Sequence, residues 1–589
     1  MARTTKALYA TVFLLVGLGL LHNQRNFNLT SRGSPQAYTG YVSSEHHVQH
    51  KHQFSWDTVP AHKTLKWHDC YEKRECARLL VPMNYSDPDG EQYNLALIRK
   101  PAVVPPESGF YRGPVLFNPG GPGGSGVDMI RTRGEQFSAI LGPQFDILSF
   151  DPRGISRSTP RATFFESDVA REIWTREGSS ANMSDVPRIW ARARVESQLA
   201  GETDTGYLKH INTDNTARDM LRIVEAHGKE KIQYWGFSYG SILGATFAAM
   251  FPDKIERLII DGVADSENYY ATLWSNNLVD AEKVMDSFYT GCAAAGPDGC
   301  PFWAPTADDI RQNLTTLSNS LRTNPIPIRT KSGYGLLDIN KLQSALFTAL
   351  YSPYAAFPAI AQGLAELAAG SGKLLFDRMN PPLFECACDS PELPFTSVSD
   401  SQAAVACNDG DDVPDDLQST EAHFAMMRKA SPWGEYWANI RTACVGWPKF
   451  PKDHFQGPFV GNTSHPILLI GNTADPVTPL WAANKMSKGF KDSVVLTQNS
   501  AGHCSISAPS LCSQKYIRDY FVDGTLPPPG TVCEPVSQPF PPAEMSIGDV
   551  EEQALLSANL TPDEVDILEA VLQLSKDPGI TPPTGAMLF

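Results

Sequence analysis

The chain is expected to fold as an α/β protein: a mostly parallel sheet with helices on both faces, interrupted by a large, mainly helical insertion. Three observations predict this. Short runs dominated by apolar residues, without strict alternation, recur at residues 114–118, 145–150, 232–236, 257–260, 466–470 and 493–497. Strands covered on both faces need such runs, whereas half-exposed strands alternate. Stretches of helical periodicity lie between them, at 215–227, 241–250, 480–490 and 511–521, and strand–helix alternation implies crossover helices over a parallel sheet. Between about Gly262 and Gly461 the alternation stops. Helical segments at 282–294, 342–350 and 356–369 and loops rich in Pro and Asp replace it.

Before the first of these runs, residues 77–81 and 93–99 read as an opening hairpin, punctuated by Asp87-Pro88-Asp89-Gly90. The expected organisation follows in order. Residues 1–24 form a signal peptide or signal anchor and 25–65 a linker. Residues 66–262 form the first part of the core, 263–460 a lid and 461–535 the second part of the core. Residues 536–589 form a tail with one amphipathic helix over 550–574. A lid of about 200 residues is an ordinary domain size.

The N-terminal expectation rests on Arg3 and Lys6 followed by an apolar run over 7–21. That is a positive region followed by an apolar stretch of signal length, short for a spanning helix. Retained uncleaved, the segment would tether the protein to a membrane. Two further features agree with a secretory route. Sequons occur at Asn28, Asn84, Asn182, Asn313, Asn462 and Asn559, the last followed closely by Pro562. Eleven cysteines include the close pairs Cys70/Cys76, Cys292/Cys300, Cys386/Cys388 and Cys504/Cys512. None has the spacing of a zinc site, and in an oxidising compartment such pairs read as local disulfides. The odd count leaves one cysteine over.

The formal net charge of −16 argues against a nucleic-acid partner, which requires a basic face. Hydrophobic residues make up 42 %, enough for a packed core. No metal or cofactor is expected.

Chemistry enters at Gly236-Phe237-Ser238-Tyr239-Gly240, a G-x-S-x-G run with a β-run before it and a small-residue helical stretch after it. That context is what a nucleophile elbow needs. The turn is strained, its flanking positions admit no side chain, and it exposes the serine Oγ while setting the Tyr239 N–H at a helix start. A second element, Asn118-Pro119-Gly120-Gly121-Pro122-Gly123-Gly124-Ser125-Gly126, follows a strand directly. Dense glycine lets backbone N–H groups approach a reacting carbonyl. The run lacks the Gly-Lys-Ser/Thr ending of a phosphate loop. A serine nucleophile needs a base, and the base an orienting acid. Asp475 follows the predicted strand at 466–470 and His503 the one at 493–497, in the chain order Ser, acid, His. Strand C-terminal ends are where open α/β sheets bind ligands. His454 and His465 are less well placed.

Taken together, Gly120-Gly121-Pro122-Gly123, Asp151-Pro152-Arg153-Gly154, Gly236–Gly240, Asp475-Pro476-Val477-Thr478-Pro479 and Gly502-His503 resemble, in this order, the prolyl aminopeptidase-type peptidases of α/β-hydrolase fold. The chain is most similar to the tripeptidyl aminopeptidase group with its TAP-like C-terminal portion. The resemblance spans about residues 66–535. It implies a serine peptidase that releases residues from a free N-terminus, with the lid limiting access. By alignment it implies Gly121 as the oxyanion donor beside Tyr239, with Gly120 the alternate. One departure is plain: Pro119 stands where the family loop has His, so His-dependent positioning of the loop is lost.

An enzyme of this kind needs an anion for the substrate amine. Asp265, Glu267, Glu385 and Asp389 are candidates among others, and the sequence singles out none. Two other readings share the residues. One is an esterase or secondary-metabolite hydrolase with the same triad, since fold does not fix substrate. The other is an inactive hydrolase fold used for binding, against which stands the presence of a candidate for every catalytic role.

Overall fold

The structure, a computed structural model, describes residues 54–179, 185–331, 333–379, 398–540, 548, 554–555 and 560–577. The expected N-terminal signal or anchor, Asn28, Asn182, Asn559, Glu385, Asp389, Cys386 and Cys388 lie outside these residues. Among the described residues no helix is long and apolar enough to cross a membrane.

Among the described residues thirteen strands occur in chain order: β1 Ala61–His62, β2 His68–Cys70, β3 Arg74–Pro82, β4 Gln92–Lys100, β5 Gly113–Asn118, β6 Phe145–Asp151, β7 Ile232–Phe237, β8 Ile255–Asp261, β9 Ile326–Arg329, β10 Tyr334–Leu337, β11 Leu468–Ala474, β12 Val494–Ala501 and β13 Val532–Cys533. Eleven build one sheet in the order β1-β3-β4-β6-β5-β7-β8-β11-β12-β13, with β2 added on β3. The ladders from β6 through β5, β7, β8, β11 and β12 to β13 are all parallel. The opening hairpin β3–β4 and its junction β4–β6 are antiparallel. The six predominantly apolar runs read from the sequence are the parallel centre, β5, β6, β7, β8, β11 and β12.

Successive residues of these strands enter two different cores, which is why the runs do not alternate. Val115, Phe117, Ile147, Trp235, Phe237, Ile259, Leu468 and Ile470 join one cluster, with residues of helices Gly126–Leu141, Leu511–Asp523 and Pro562–Lys576. Leu116, Leu148, Tyr234, Leu258, Ile260 and Leu469 join the other, with helices Thr213–Ala226 and Tyr239–Met250. Phe137 of the first face sits 4.7 Å from Phe117 and 5.7 Å from Trp235, ring centre to ring centre.

Between Asp261 and Leu468 the chain adds no strand to the sheet among the described residues. It contributes helices from Ser266–Tyr270 to Gly434–Thr442 and one small hairpin, β9–β10.

Three expectations are corrected. The stretch expected as linker is structured from Phe54 onward. Trp56–Thr58 makes a 3-10 turn, the buried Trp56 indole donates to the Tyr71 hydroxyl at 2.9 Å, and β1 pairs with β3. Its polar, aperiodic text hid two buried anchors, Trp56 and Val59. The expected tail helix is broken at Thr561: residues 554–555 are helical, and Pro562–Lys576 starts afresh, with Thr561 and Glu564 in a reciprocal capping box and Pro562 in the first turn, where its missing N–H costs nothing. Cys504 does not pair with Cys512. The disulfides are Cys70–Cys76, Cys292–Cys300, Cys407–Cys444 and Cys512–Cys533, and Cys504 is free and buried. Proximity in sequence succeeded for the first two because a tight local turn joins them. It failed for Cys512 because β13 returns to the sheet beside β12.

The Asp151-Pro152-Arg153-Gly154 run proves to be scaffold. Asp151 accepts from the Ser125 hydroxyl at 2.6 Å, the Val127 N–H at 3.1 Å and the Arg157 N–H at 3.1 Å, which fastens the end of the glycine loop. Arg153 is fully buried and pairs bidentately with Asp219 at 2.5 and 2.7 Å, while donating to the Met83 and Pro82 carbonyls. Removing one member of such a pair leaves a buried charge alone. Arg153→Met is therefore expected to cost about 3–5 kcal/mol of stability, read as a lowered denaturant midpoint. A midpoint equal to wild type would show that Asp219 is not left charged and unpaired.

Candidate active site

The site lies at the C-terminal ends of β5, β7, β8, β11 and β12. Ser238 stands between β7 and helix Tyr239–Met250 with φ 57° and ψ −119°, a conformation that L residues avoid. What holds it is local. The Ser238 N–H donates to the Asp261 carbonyl at 2.9 Å, and its own carbonyl accepts from the Ser241 N–H at 2.7 Å and the Ser241 hydroxyl at 2.5 Å. The elbow glycines are required by space. A Cβ on Gly236 would stand 2.4 Å from the Gly240 carbonyl, and one on Gly240 would stand 3.0 Å from the Asn118 carbonyl.

The glycine loop after β5 comes up against the elbow. A Cβ on Gly120 would lie 2.8 Å from the Ser238 Cβ and 3.1 Å from the Tyr239 nitrogen. The Gly120 N–H donates to the Asn118 side-chain oxygen at 2.9 Å, and the Gly120 carbonyl accepts from Gly124 at 3.1 Å. With Pro119 in the place of the family histidine, Asn118 and the Ser125–Asp151 bond position the loop. On its other side, a Cβ on Gly123 would meet the Val398 carbonyl at 3.0 Å, so the lid helix Val398–Asp409 rests directly on the loop.

Asp475 and His503 meet as a pair. Both are fully buried, and His503 Nδ1 lies 3.0 Å from each carboxylate oxygen of Asp475. Asp475 also accepts the N–H groups of Val477 at 3.0 Å, Thr478 at 2.8 Å and Cys504 at 3.0 Å. Burial alone would raise the Asp475 pKa, but His503 and these N–H donors outweigh it and hold the carboxyl below its ordinary range. The Thr478 hydroxyl lies 3.0 Å from His503 Nδ1, and the Tyr351 ring from the lid packs edge-on to the imidazole at 5.0 Å. With Nδ1 turned to Asp475, His503 Nε2 is buried and has no hydrogen-bond partner among the described residues. The bond from Ser238 to Nε2 is thus open here, as catalytic bonds of unliganded sites often are.

Ser238 and His503 converge on one strand end. Ser238 is bonded to Asp261, and a Cβ on the next residue, Gly262, would lie 3.4 Å from His503 Cε1. Residues that sequence reasoning missed hold the histidine loop. Asn472 Nδ2 donates to the Gly502 and Cys504 carbonyls, both at 2.8 Å, and the His503 N–H donates to the Tyr351 carbonyl at 2.8 Å. Asn472 was legible only as a residue following the apolar run at 466–470, whereas it lies within β11. Tyr351 carried no signal, because its role depends on where the lid folds back. Burial raises the thiol pKa of Cys504 well above its ordinary value, so it is no rival nucleophile.

Of the other candidates, Asp265 and Glu267 each pair with Lys485 at 2.7 Å, and Asp265 also caps helix Ser266–Tyr270. The two carboxylates share this one lysine. His454 bonds the Asn408 carbonyl at 2.8 Å, in the lid. A lid carboxylate that sequence reasoning passed over, Asp409, is fully buried and accepts from the Thr213 N–H at 2.7 Å and the Tyr269 hydroxyl at 2.7 Å. Thr213 in turn bonds the hydroxyl of Tyr239. The lid is thereby tied to the residue after the nucleophile. Asn84, Asn313 and Asn462 are all exposed.

The fold and these groups define an α/β hydrolase with a serine nucleophile elbow. Residues 113–341 match the family described as alpha/beta hydrolase fold, and residues 429–533 match the one described as TAP-like protein. The chain has the α/β-hydrolase fold and is similar to proteins that carry the TAP-like C-terminal part. Among characterised relatives, it is 28 % identical over 476 residues to serine protease Hip1 of Mycobacterium tuberculosis, covering 78 % of this chain and 87 % of that one. It is 25 % identical over 524 residues to a tripeptidyl aminopeptidase of Streptomyces lividans, covering 84 % and 92 %. It is 26 % identical over 490 residues to carboxylesterase B of Mycobacterium tuberculosis, covering 80 % and 90 %.

Proposed function

We propose that this protein is a serine peptidase that releases residues from the free N-terminus of peptides through an acyl-enzyme, with Ser238 as nucleophile, His503 as base and Asp475 as orienting acid. The observation that carries this is the buried Asp475–His503 pair. It commits Nδ1, leaves Nε2 as the basic nitrogen, and stands at the same strand end as the strained Ser238. His503 takes the Ser238 proton as Oγ attacks the carbonyl, then gives it to the departing amine. Water activated by the same nitrogen hydrolyses the ester. The Tyr239 and Gly121 N–H groups receive the oxyanion. Gly120 is the poorer donor because its N–H is already given to Asn118. Relatives named serine protease and tripeptidyl aminopeptidase support the peptidase reading.

The test combines a fluorophosphonate probe with matched peptides bearing free and acetylated N-termini. Labelling at Ser238 with cleavage of the free peptide only is expected. Labelling with no peptide cleavage would move the substrate to an ester, as the name of the carboxylesterase relative suggests for that protein. No labelling of folded protein would remove the catalytic assignment.

Extracytoplasmic residence belongs to the same reading. Four disulfides and three exposed sequons fit an oxidising, glycosylating route. A loss of mass on glycosidase treatment of the natural protein is expected, and an unchanged mass would count against glycosylation.

A further inference from the structure

We infer that Asp261 is a positioning residue of the catalytic machinery: its buried carboxylate locks the His503 loop to the strand that carries Ser238 and places a second negative charge near the imidazole. The inference rests on the catalytic assignment above.

Asp261 ends β8, paired with Phe237 on one side and Ile470 on the other. Its side chain is fully buried, and no Lys or Arg is paired with it among the described residues. Three donors converge on it: the Ser505 N–H at 2.8 Å, the Ser505 hydroxyl at 2.5 Å and the Trp235 indole N–H at 3.2 Å. Its backbone carbonyl accepts from the Ser238 N–H at 2.9 Å and the Cys504 thiol at 3.5 Å. One residue therefore touches the nucleophile, the strand beneath it and the two residues after His503.

The donor set selects a charge state. Two of the three donors, the indole and the amide N–H, can only donate, and three hydrogens directed at the two oxygens favour the ionised carboxylate over the neutral acid. A protonated acid would bring a fourth hydrogen into that cluster. Burying a carboxylate without a cation is costly, and burial pushes its pKa up to about 6. The cost is explained by what faces it. The titratable neighbours are His503 and Cys504 on the loop after β12, and His503 is itself bonded to Asp475. The residues presented by β7 and β11, Trp235, Ile470 and Asn472, are neutral. As His503 takes the Ser238 proton, the imidazolium has Asp475 bonded at Nδ1 and the Asp261 charge close enough to interact with it. As pH falls through about 6, Asp261 gains a proton, its charge is lost and the clamp on Ser505 loosens.

The fluorophosphonate labelling rate across pH 4.5–8 tests this, because it reads Ser238 and His503 without a choice of peptide. Protonation of the base alone gives an acid limb with a slope of one. The wild type is expected to fall more steeply than one. Asp261→Asn should label roughly tenfold more slowly at neutral pH, equivalent to about one pKa unit of imidazolium stabilisation, and its acid limb should have a slope of one. A variant profile that superimposes on wild type would overturn the inference. Should Asp261→Asn fail to fold, Ser505→Ala takes its place. It removes a donor from the carboxylate and should move the acid limb to higher pH, and an unmoved limb would overturn the inference equally. If the wild type does not label, or Ser238→Ala labels as well as wild type, the catalytic assignment fails instead, and the two failures are told apart.

Discussion

Ser238→Ala should abolish turnover, by about 10^6-fold, and leave the fold unchanged. The strain at this position comes from a positive φ that any side chain with a Cβ would feel, and alanine has the same Cβ as serine. The backbone bonds that impose the conformation, from the Ser238 N–H to Asp261 and from Ser241 to the Ser238 carbonyl, survive the substitution. Only Oγ is lost. Hydrolysis rate and thermal midpoint, measured side by side, check this. Activity within tenfold of wild type would mean that another group carries the reaction. A collapsed midpoint would mean that the hydroxyl holds the fold as well as the chemistry.

Asp475→Asn should lower kcat by about 10^4-fold with little change in KM. Asp475 Oδ1 accepts N–H groups from Val477 and Thr478, and Oδ2 accepts one from Cys504. An asparagine must turn its NH2 toward one of these donors or toward His503 Nδ1. If it faces the histidine, it donates to Nδ1, moves the ring proton to Nε2 and removes the base. A stability effect accompanies the kinetic one. The folded pKa of Asp475 is depressed, so the carboxylate contributes stability above the ordinary aspartate range and loses it as pH falls through that range. The variant should therefore be less stable than wild type at pH 7, and the difference should shrink below about pH 4. An unchanged kcat would show that His503 is oriented by its other contacts, the Thr478 hydroxyl and the Tyr351 ring.

Much of the site was legible in the sequence, for a physical reason. The elbow needs glycine where a Cβ would strike backbone. The oxyanion loop needs glycine for the same cause, and the acid and base follow strands whose apolar runs mark the covered centre of the sheet. Each signal is local, set by sterics within a few residues. The cysteines show the limit of local reading. Cys70–Cys76 and Cys292–Cys300 close short turns and could be paired by spacing, whereas Cys407–Cys444 and Cys512–Cys533 depend on which helices and strands come to lie side by side.

The parallel sheet, the helical insertion within it, and the candidate nucleophile with its two candidate partners were legible along the chain, because steric and burial constraints write those into short stretches. Only the tertiary structure decided how the site is held. Asp261 looked like the end of one more strand, Asn472 like a residue just after another, and Tyr351 and Asp409 like ordinary lid residues. Their roles come from contacts across 30 or more positions of chain, between Asn472 and Gly502 or between Thr213 and Asp409, where |i−j| is 30 and 196. A buried polar group acquires its meaning from the partners that replace its water, and a list of residues in order does not say which partners those are.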